Sequence, residues 1–595
     1  MKKLFTPLLI FLSLLFVCVG AFAVENKPVL QTMPLDQVKI GMRGVAYTVF
    51  EGIKPEPMEV EVLGILRNMA GPRGDVILVR LHGKKPEYTG VVAGMSGSPV
   101  YIEGKLVGAL AYRIGEFSKE PIGGVTPIAQ MLEINELDRS SAPEYSAAST
   151  AAQTPQRTSG PGTVPQSQQV YTYLKPIDTP LVFNGFSQES IQQFASQFAA
   201  AGIVPVMGAG SSSDAPQPEP IEPGSSVGAV LVRGDMDIAA TCTVTYIDPE
   251  RLLACGHPLL NFGQVEMPMT KSHVLATLPS TSNAFKIATT TEPIGAFVQD
   301  RHTGILGRFG MTPKMIPVTL NFHGISRPKS FHFEVLNNAK LTPVAMMTTV
   351  FNAIQGMNEY GEETTFRVKG SINVSGFPSM TLSNMYAPVD GGNPTAAAIA
   401  SALGERFSRI FENQYERPDI SGVELNIDLV RERRWARLET ARTDVTEARP
   451  GDEIVVETVL RPYRGERIVR QVPMKVPTST PKGTLRILVS DGDTLDRMRR
   501  NTSLISRKLD LNATIAQLNN EHTNSRLYVS LLEANPQAMV EDKVMPTLPL
   551  SVMNVMDGMR GTQDMVVVGE SAVNEASTPL DYVVTGAQII TVTVR

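Results

Sequence analysis

Apolar and polar residues alternate with a period of two over much of the chain, and the elements this predicts are short strands. Met58, Val60 and Val62 alternate with Glu59 and Glu61, as in a strand with one buried face. Residues 76–79 form a continuous apolar run suited to a strand covered on both faces. Glu103-Gly104 separates Val100-Tyr101-Ile102 from Leu106-Val107-Gly108-Ala109-Leu110, which predicts a tight hairpin. Residues 37–139 therefore read as small-barrel material. Residues 224–341 are again strand-rich, and Tyr246-Ile247-Asp248-Pro249-Glu250 has the composition of a hairpin turn. Alternation resumes at Val423, Leu425, Ile427 and Leu429 and continues through 454–460 and 468–476, so 421–492 is expected to form a β-sandwich.

Helical signals are few. Pro394 is well placed to start a helix over 394–411, and Leu511, Ile515 and Leu518 share one face of another. Between 140 and 169 the composition shifts to Ser, Ala, Thr, Gln and Pro, which cannot bury a core. A short island comes next at 171–208, where Ser187 can cap a helix bearing Ile191, Phe194 and Phe198. Residues 140–223 are thus read as a linker with a small helical island, 342–420 as a mixed α/β connection, and 493–595 as an α+β region. The fold class is mainly β, in about three or four domains, because 595 residues exceed one core.

The first residues change the picture of where such a chain works. Lys2 and Lys3, the apolar stretch 4–19 and Ala21-Phe22-Ala23 have the layout of a cleavable export signal over 1–23. A secreted or periplasmic protein is expected, with no permanent membrane span after cleavage. Val17 before Cys18 argues against lipidation. A net charge of -5, with interspersed signs, gives no reason to expect nucleic acid as a partner. Cys242 and Cys255 flank the hairpin turn, so either a disulfide across paired strands or two small buried thiols fits. No paired Cys/His spacing, phosphate loop or dinucleotide fingerprint occurs, so neither a metal nor a cofactor is expected.

Gly94-Met95-Ser96-Gly97-Ser98-Pro99 is the most informative hexapeptide. A serine between glycines can present its hydroxyl while the amides of Gly94 and Ser96 converge as an oxyanion hole. Taken alone, such a run is more often a plain surface turn. The segments 100–110 and then Gly124-Val125-Thr126-Pro127 repeat the order seen after the nucleophile turn of chymotrypsin-like peptidases. Residues 74–77 and 90–99 resemble the nucleophile segment of the sporulation stage IV factor B (SpoIVB) serine peptidase family. Residues 41–65, with the turn Val49-Phe50-Glu51-Gly52, resemble the segment that family places before it. Tyr246-Ile247-Asp248-Pro249 followed by Leu253-Ala254-Cys255-Gly256-His257-Pro258-Leu259 is similar to its general-base segment, as are 263–268 and 297–307.

The resemblance covers a little over a third of the chain. It implies a chymotrypsin-like double β-barrel assembled from two separated segments, acting on protein or peptide substrates with Ser96 as nucleophile and His257 as base. The serine half precedes the histidine half here, the reverse of the family's order, as in a circular permutation. The family's catalytic aspartate would fall on Leu81, beside His82. Asp300 is the substitute carboxylate, although a structural turn aspartate is its bland reading. A Ser–His dyad, or an inactive peptidase fold serving as a peptide-binding or envelope scaffold, stands as the alternative. Oligomeric state is not legible.

Overall fold

The computed structural model describes residues 31–69, 71–114, 120–140, 174–200, 204–208, 216–280, 284–324, 326–358, 361–391, 394–502, 509–540, 543–545, 551–552, 555 and 565–595. The export-signal reading and most of the low-complexity stretch lie outside them. The protein is mainly β, with 50% strand and 17% helix. Among the described residues no helix is long and apolar enough to cross a membrane.

Six strands form a closed antiparallel barrel: β1 (Arg43–Thr48), β2 (Glu56–Leu66), β3 (Val76–His82), β4 (Ser98–Ile102), β5 (Lys105–Ile114) and β6 (Ile122–Pro127). They pair in the order β4-β1-β2-β3-β6-β5, and β5 returns to β4. The alternation at 58–62 has its cause here, since Met58, Val60 and Val62 point inward with Val79, Leu81, Val100 and Leu110. Glu103 and Gly104, both at positive φ, make the two-residue hairpin turn between β4 and β5.

The residues after the low-complexity stretch bridge two sheets rather than forming an island. β7 (Leu174–Pro176) adds to β5, whereas β8 (Pro180–Asn184) pairs with β11 (Asp237–Ile247) and with β9 (Val204–Met207). Ser187 does cap a helix, accepting from the Ser190 amide, and Phe183, Phe186, Phe194 and Phe198 tie this region into the largest core. Burial of those four rings is what prevents the segment from standing alone.

A second ring of antiparallel pairings joins β10 (Ser226–Gly234), β13 (Gly263–Leu278), β14 (Phe285–Arg301), β15 (Gly304–Phe309), β12 (Arg251–Ala254) and β11, which returns to β10. The sheet continues from β10 through β17 (Lys329–Leu336), β16 (Met315–His323), β20 (Ile420–Val430), β18 (Thr365–Val374) and β19 (Met380–Tyr386). The alternating residues Val423 to Leu429 therefore belong to this sheet, pairing with β16 and β18, and not to the sandwich expected at 421–492. The helices Leu341–Met357 and Thr395–Phe411 pack on it. Leu341–Met357 is apolar nearly all round and so shows no helical stripe in sequence. The sandwich comprises one sheet of Trp435–Thr443, Glu453–Pro462, Ile468–Lys475 and Val583–Thr585. Its facing sheet includes Gly483–Ser490, Arg526–Val540 and Ala587–Val594, and they share one core. It closes only with the last strands of the chain, so 421–492 is not a unit by itself.

Candidate functional site

The turn carrying Ser96 is fixed by its own backbone. Met95 N–H donates to Val92 O (3.0 Å), Ser98 N–H and Oγ donate to Met95 O (3.0 and 2.6 Å), and Gly97 N–H donates to Leu110 O (2.8 Å). Gly94 and Gly97 take φ of +94° and +96°, where a side chain is strained. Among the described residues the amides of Gly94 and Ser96 find no backbone acceptor.

The second ring of strands clasps this turn. Thr243 N–H donates to Ser96 O (2.7 Å), Thr243 Oγ1 to Gly94 O (3.0 Å) and Thr245 Oγ1 to Gly97 O (2.8 Å). A Cβ on Gly97 would stand 1.9 Å from Thr243 O and 2.5 Å from Cys255 N, so glycine is the only residue this contact admits. Cys255 N–H donates to Thr243 O (3.2 Å), and Cys255 is joined to Cys242 by a disulfide, with Cα atoms 5.3 Å apart. Gly256 rests on Ala109 and Ala111 of β5, and its carbonyl accepts from Thr126 Oγ1 at 2.6 Å. The serine turn and the segment leading into His257 are thus packed together.

His257 Nδ1 lies 2.8 Å from Pro258 O. A carbonyl only accepts, so Nδ1 carries the hydrogen and Nε2 keeps its lone pair in the neutral ring. Burial lowers the imidazole pKa, against the opposing pull of Pro258, Asp178 and Ile177, which leaves a neutral base at pH 7. Ser96 is fully buried and His257 is 3% exposed; Ser96 Oγ and His257 Nε2 are each without a hydrogen-bond partner, and so they do not bond each other.

Asp300 is not brought to the imidazole. Its carboxylate accepts from the amides of Leu259 (2.7 Å), Leu260 (2.7 Å) and Phe262 (3.4 Å), organising the loop after His257. Burial pushes it up to about 6 despite those amides. Leu81, on which the resemblance would place an aspartate, is fully buried in the barrel core, and His82 pairs with Glu61 at 3.1 Å. The carboxylate whose charge acts on His257 is Asp178, which is ion-paired with the buried Arg113. It escapes sequence reasoning because the short island at 171–208 carries no signal that it crosses to the sheet bearing His257.

Lys286 escapes it too, being one lysine in a β14 of alternating polarity. It is fully buried, its stem lies against Gly94, and its amide donates to Ala93 O (3.1 Å). Its Nζ donates to Thr48 Oγ1 (2.7 Å), and burial lowers its pKa to about 7. A cavity of about 350 Å³ adjoins His257, lined by Ile177, Asp178, Thr179, Leu231 and Pro258 among others. A larger cleft of about 630 Å³, between helix Thr395–Phe411 and the C-terminal sandwich, contains none of these residues. No family model, curated protein or solved structure matches this chain.

Proposed function

We propose that the protein is an exported serine endopeptidase of SpoIVB type, working in the periplasm or outside the cell, in which the barrel and the second ring of strands act as the two halves of a chymotrypsin-like double barrel. Ser96 attacks a peptide carbonyl, His257 Nε2 accepts its proton and later returns it to the leaving amine, and the amides of Gly94 and Ser96 stabilise the oxyanion. The Pro258 carbonyl fixes the tautomer, the task an aspartate performs in a triad, so the mechanism is a Ser–His dyad. Asp300 acts through the loop it organises and is a positioning residue.

The observation that carries this reading is the pair of buried, unpartnered atoms, Ser96 Oγ and His257 Nε2, on two distant segments locked together through Thr243 and Cys255. An unsatisfied buried polar atom costs about 1–3 kcal/mol, and what sets these two apart from the other buried unpartnered side-chain atoms is their chemistry, a hydroxyl and a neutral imidazole nitrogen on mutually packed segments. Catalytic hydrogen bonds are often long before substrate arrives. The full burial of Ser96 favours a second reading, a non-catalytic scaffold that keeps the fold and binds peptides. Labelling by a fluorophosphonate probe separates the two: the peptidase reading expects adduct on Ser96, lost in Ser96→Ala and in His257→Ala. Absence of Ser96-dependent labelling under all conditions leaves the scaffold.

A further inference from the structure

β5 has an incomplete partner on one side. β4 accompanies it from Ile102↔Lys105 to Ser98↔Leu110 and then leaves, so 111–114 would present an open strand edge. That edge starts at Leu110, whose carbonyl holds Gly97, and at Ala109 and Ala111, on which Gly256 rests. An extended peptide adding to an open edge gains main-chain hydrogen bonds, and here it would run past both Ser96 and His257. The chain's own residues already lie there. Leu174, Lys175 and Pro176 pair antiparallel with Ile114, Arg113 and Tyr112, and Ile177 N–H donates to Ala111 O at 2.8 Å. Beyond Pro176 the chain crosses to β8 in the other sheet, and Ile177, Asp178 and Thr179 form the wall of the cavity beside His257. Ile177 is fully buried, and Asp178 is clamped to Arg113.

Building on the peptidase reading above, we infer that residues 174–179 are a pseudosubstrate strap: they occupy the edge on which an extended peptide substrate would lie, and Ser96 becomes reactive only when they withdraw. On this inference, withdrawal of the strap opens the His257 side of the site, while Ser96 has no exposed surface with the strap in place. The strap also assigns the substrate class, an extended polypeptide held by main-chain pairing along 111–114, with its cleaved bond placed where the strap turns from β7 toward β8.

The test uses the full mature chain and a fluorophosphonate probe. Asp178→Ala removes the Arg113 clamp and Ile177→Pro removes the bond to Ala111 O. Each is expected to raise the rate of Ser96 labelling at least tenfold, and the free peptide Leu-Lys-Pro-Ile-Asp-Thr is expected to slow labelling of the variants. Wild-type protein supplies a readout independent of variant folding: once labelled, the amides of Leu174, Lys175, Ile177 and Asp178 should exchange hydrogen faster than in unlabelled protein. Ser96-dependent labelling that is equally fast in wild type and folded variants overturns the strap and leaves the peptidase. Unchanged exchange protection after labelling does the same. Labelling that survives Ser96→Ala, or is absent from every form, overturns the peptidase reading and the strap with it.

Discussion

Replacing Lys286 with methionine should stabilise the barrel interface at neutral pH and remove much of its dependence on alkaline pH. The ammonium is fully buried, its pKa falls from 10.5 to about 7, and its side-chain hydrogen bond goes to Thr48 Oγ1. Because the folded value lies below the unfolded one, the unfolded chain binds more protons between pH 7 and 10.5, and stability rises with pH across that window. At 1.36 kcal/mol per pH unit, the fall from 10.5 to about 7 corresponds to roughly 5 kcal/mol at full protonation and roughly 4 at pH 7. Losing the bond to Thr48 offsets about 1 kcal/mol. A net gain on the order of 3 kcal/mol is therefore expected for Lys286→Met at pH 7, shrinking to little by about pH 10. Hydrogen exchange of β1 and β14 amides in increasing urea, at several pH values from about 7 to 10, reads this region directly. If wild type and variant show parallel pH dependence, Lys286 is not held neutral by burial and the reasoning fails.

Other perturbations bear on the same architecture. Asp300→Ala strands three amides of the loop after His257, which should cost about 2–3 kcal/mol and lower the rate of Ser96 labelling more than it weakens peptide binding; Asp300→Asn, which keeps an acceptor, should recover part of both. Changing Cys242 and Cys255 to serine removes a closure across 13 residues, and about 3 kcal/mol should be lost in chemical denaturation. In the C-terminal region His522 is held between Asp496 and Glu575; burial alone would lower its pKa, but those two partners raise it to about 9. Its contribution is full below pH 6.5 and is lost as pH rises through about 9. The single tryptophan, Trp435, lies in the adjoining sandwich, so its fluorescence during thermal unfolding should show wild type losing stability over that window and His522→Gln not doing so.

Local patterns carried much of the fold into the sequence. Alternation at 58–62, the Glu103-Gly104 turn and the Ser187 cap depend on near neighbours, and each appears where its residues foretell it. Ser96 and His257 stand out in the sequence through the family-like segments around them, since a glycine-framed serine or a Gly-His turn taken alone is more often a plain turn. The features that escape depend on distant partners. Val423 to Leu429 carries a strand pattern but no label saying that its neighbour is 318–323. The sandwich cannot be bounded at 492 because its closing strands, 583–585 and 587–594, lie at the far end of the chain. Lys286 has no sequence mark of burial, since the stretch around it alternates like any half-exposed strand. Asp300 is legible as a turn carboxylate and not as a partner of the imidazole, and its three amide bonds follow that plainer reading.

The rivet at Thr243 has a consequence for the order in which the molecule matures. A chain emerging N-terminus first presents the serine-bearing barrel long before Asp237–Ile247 has been made, so the carbonyls of Gly94, Ser96 and Gly97 stay hydrated until that strand arrives. The serine-bearing turn is therefore completed only after Asp237–Ile247 has been made, and a product terminated before that strand keeps the first barrel with this turn unclasped.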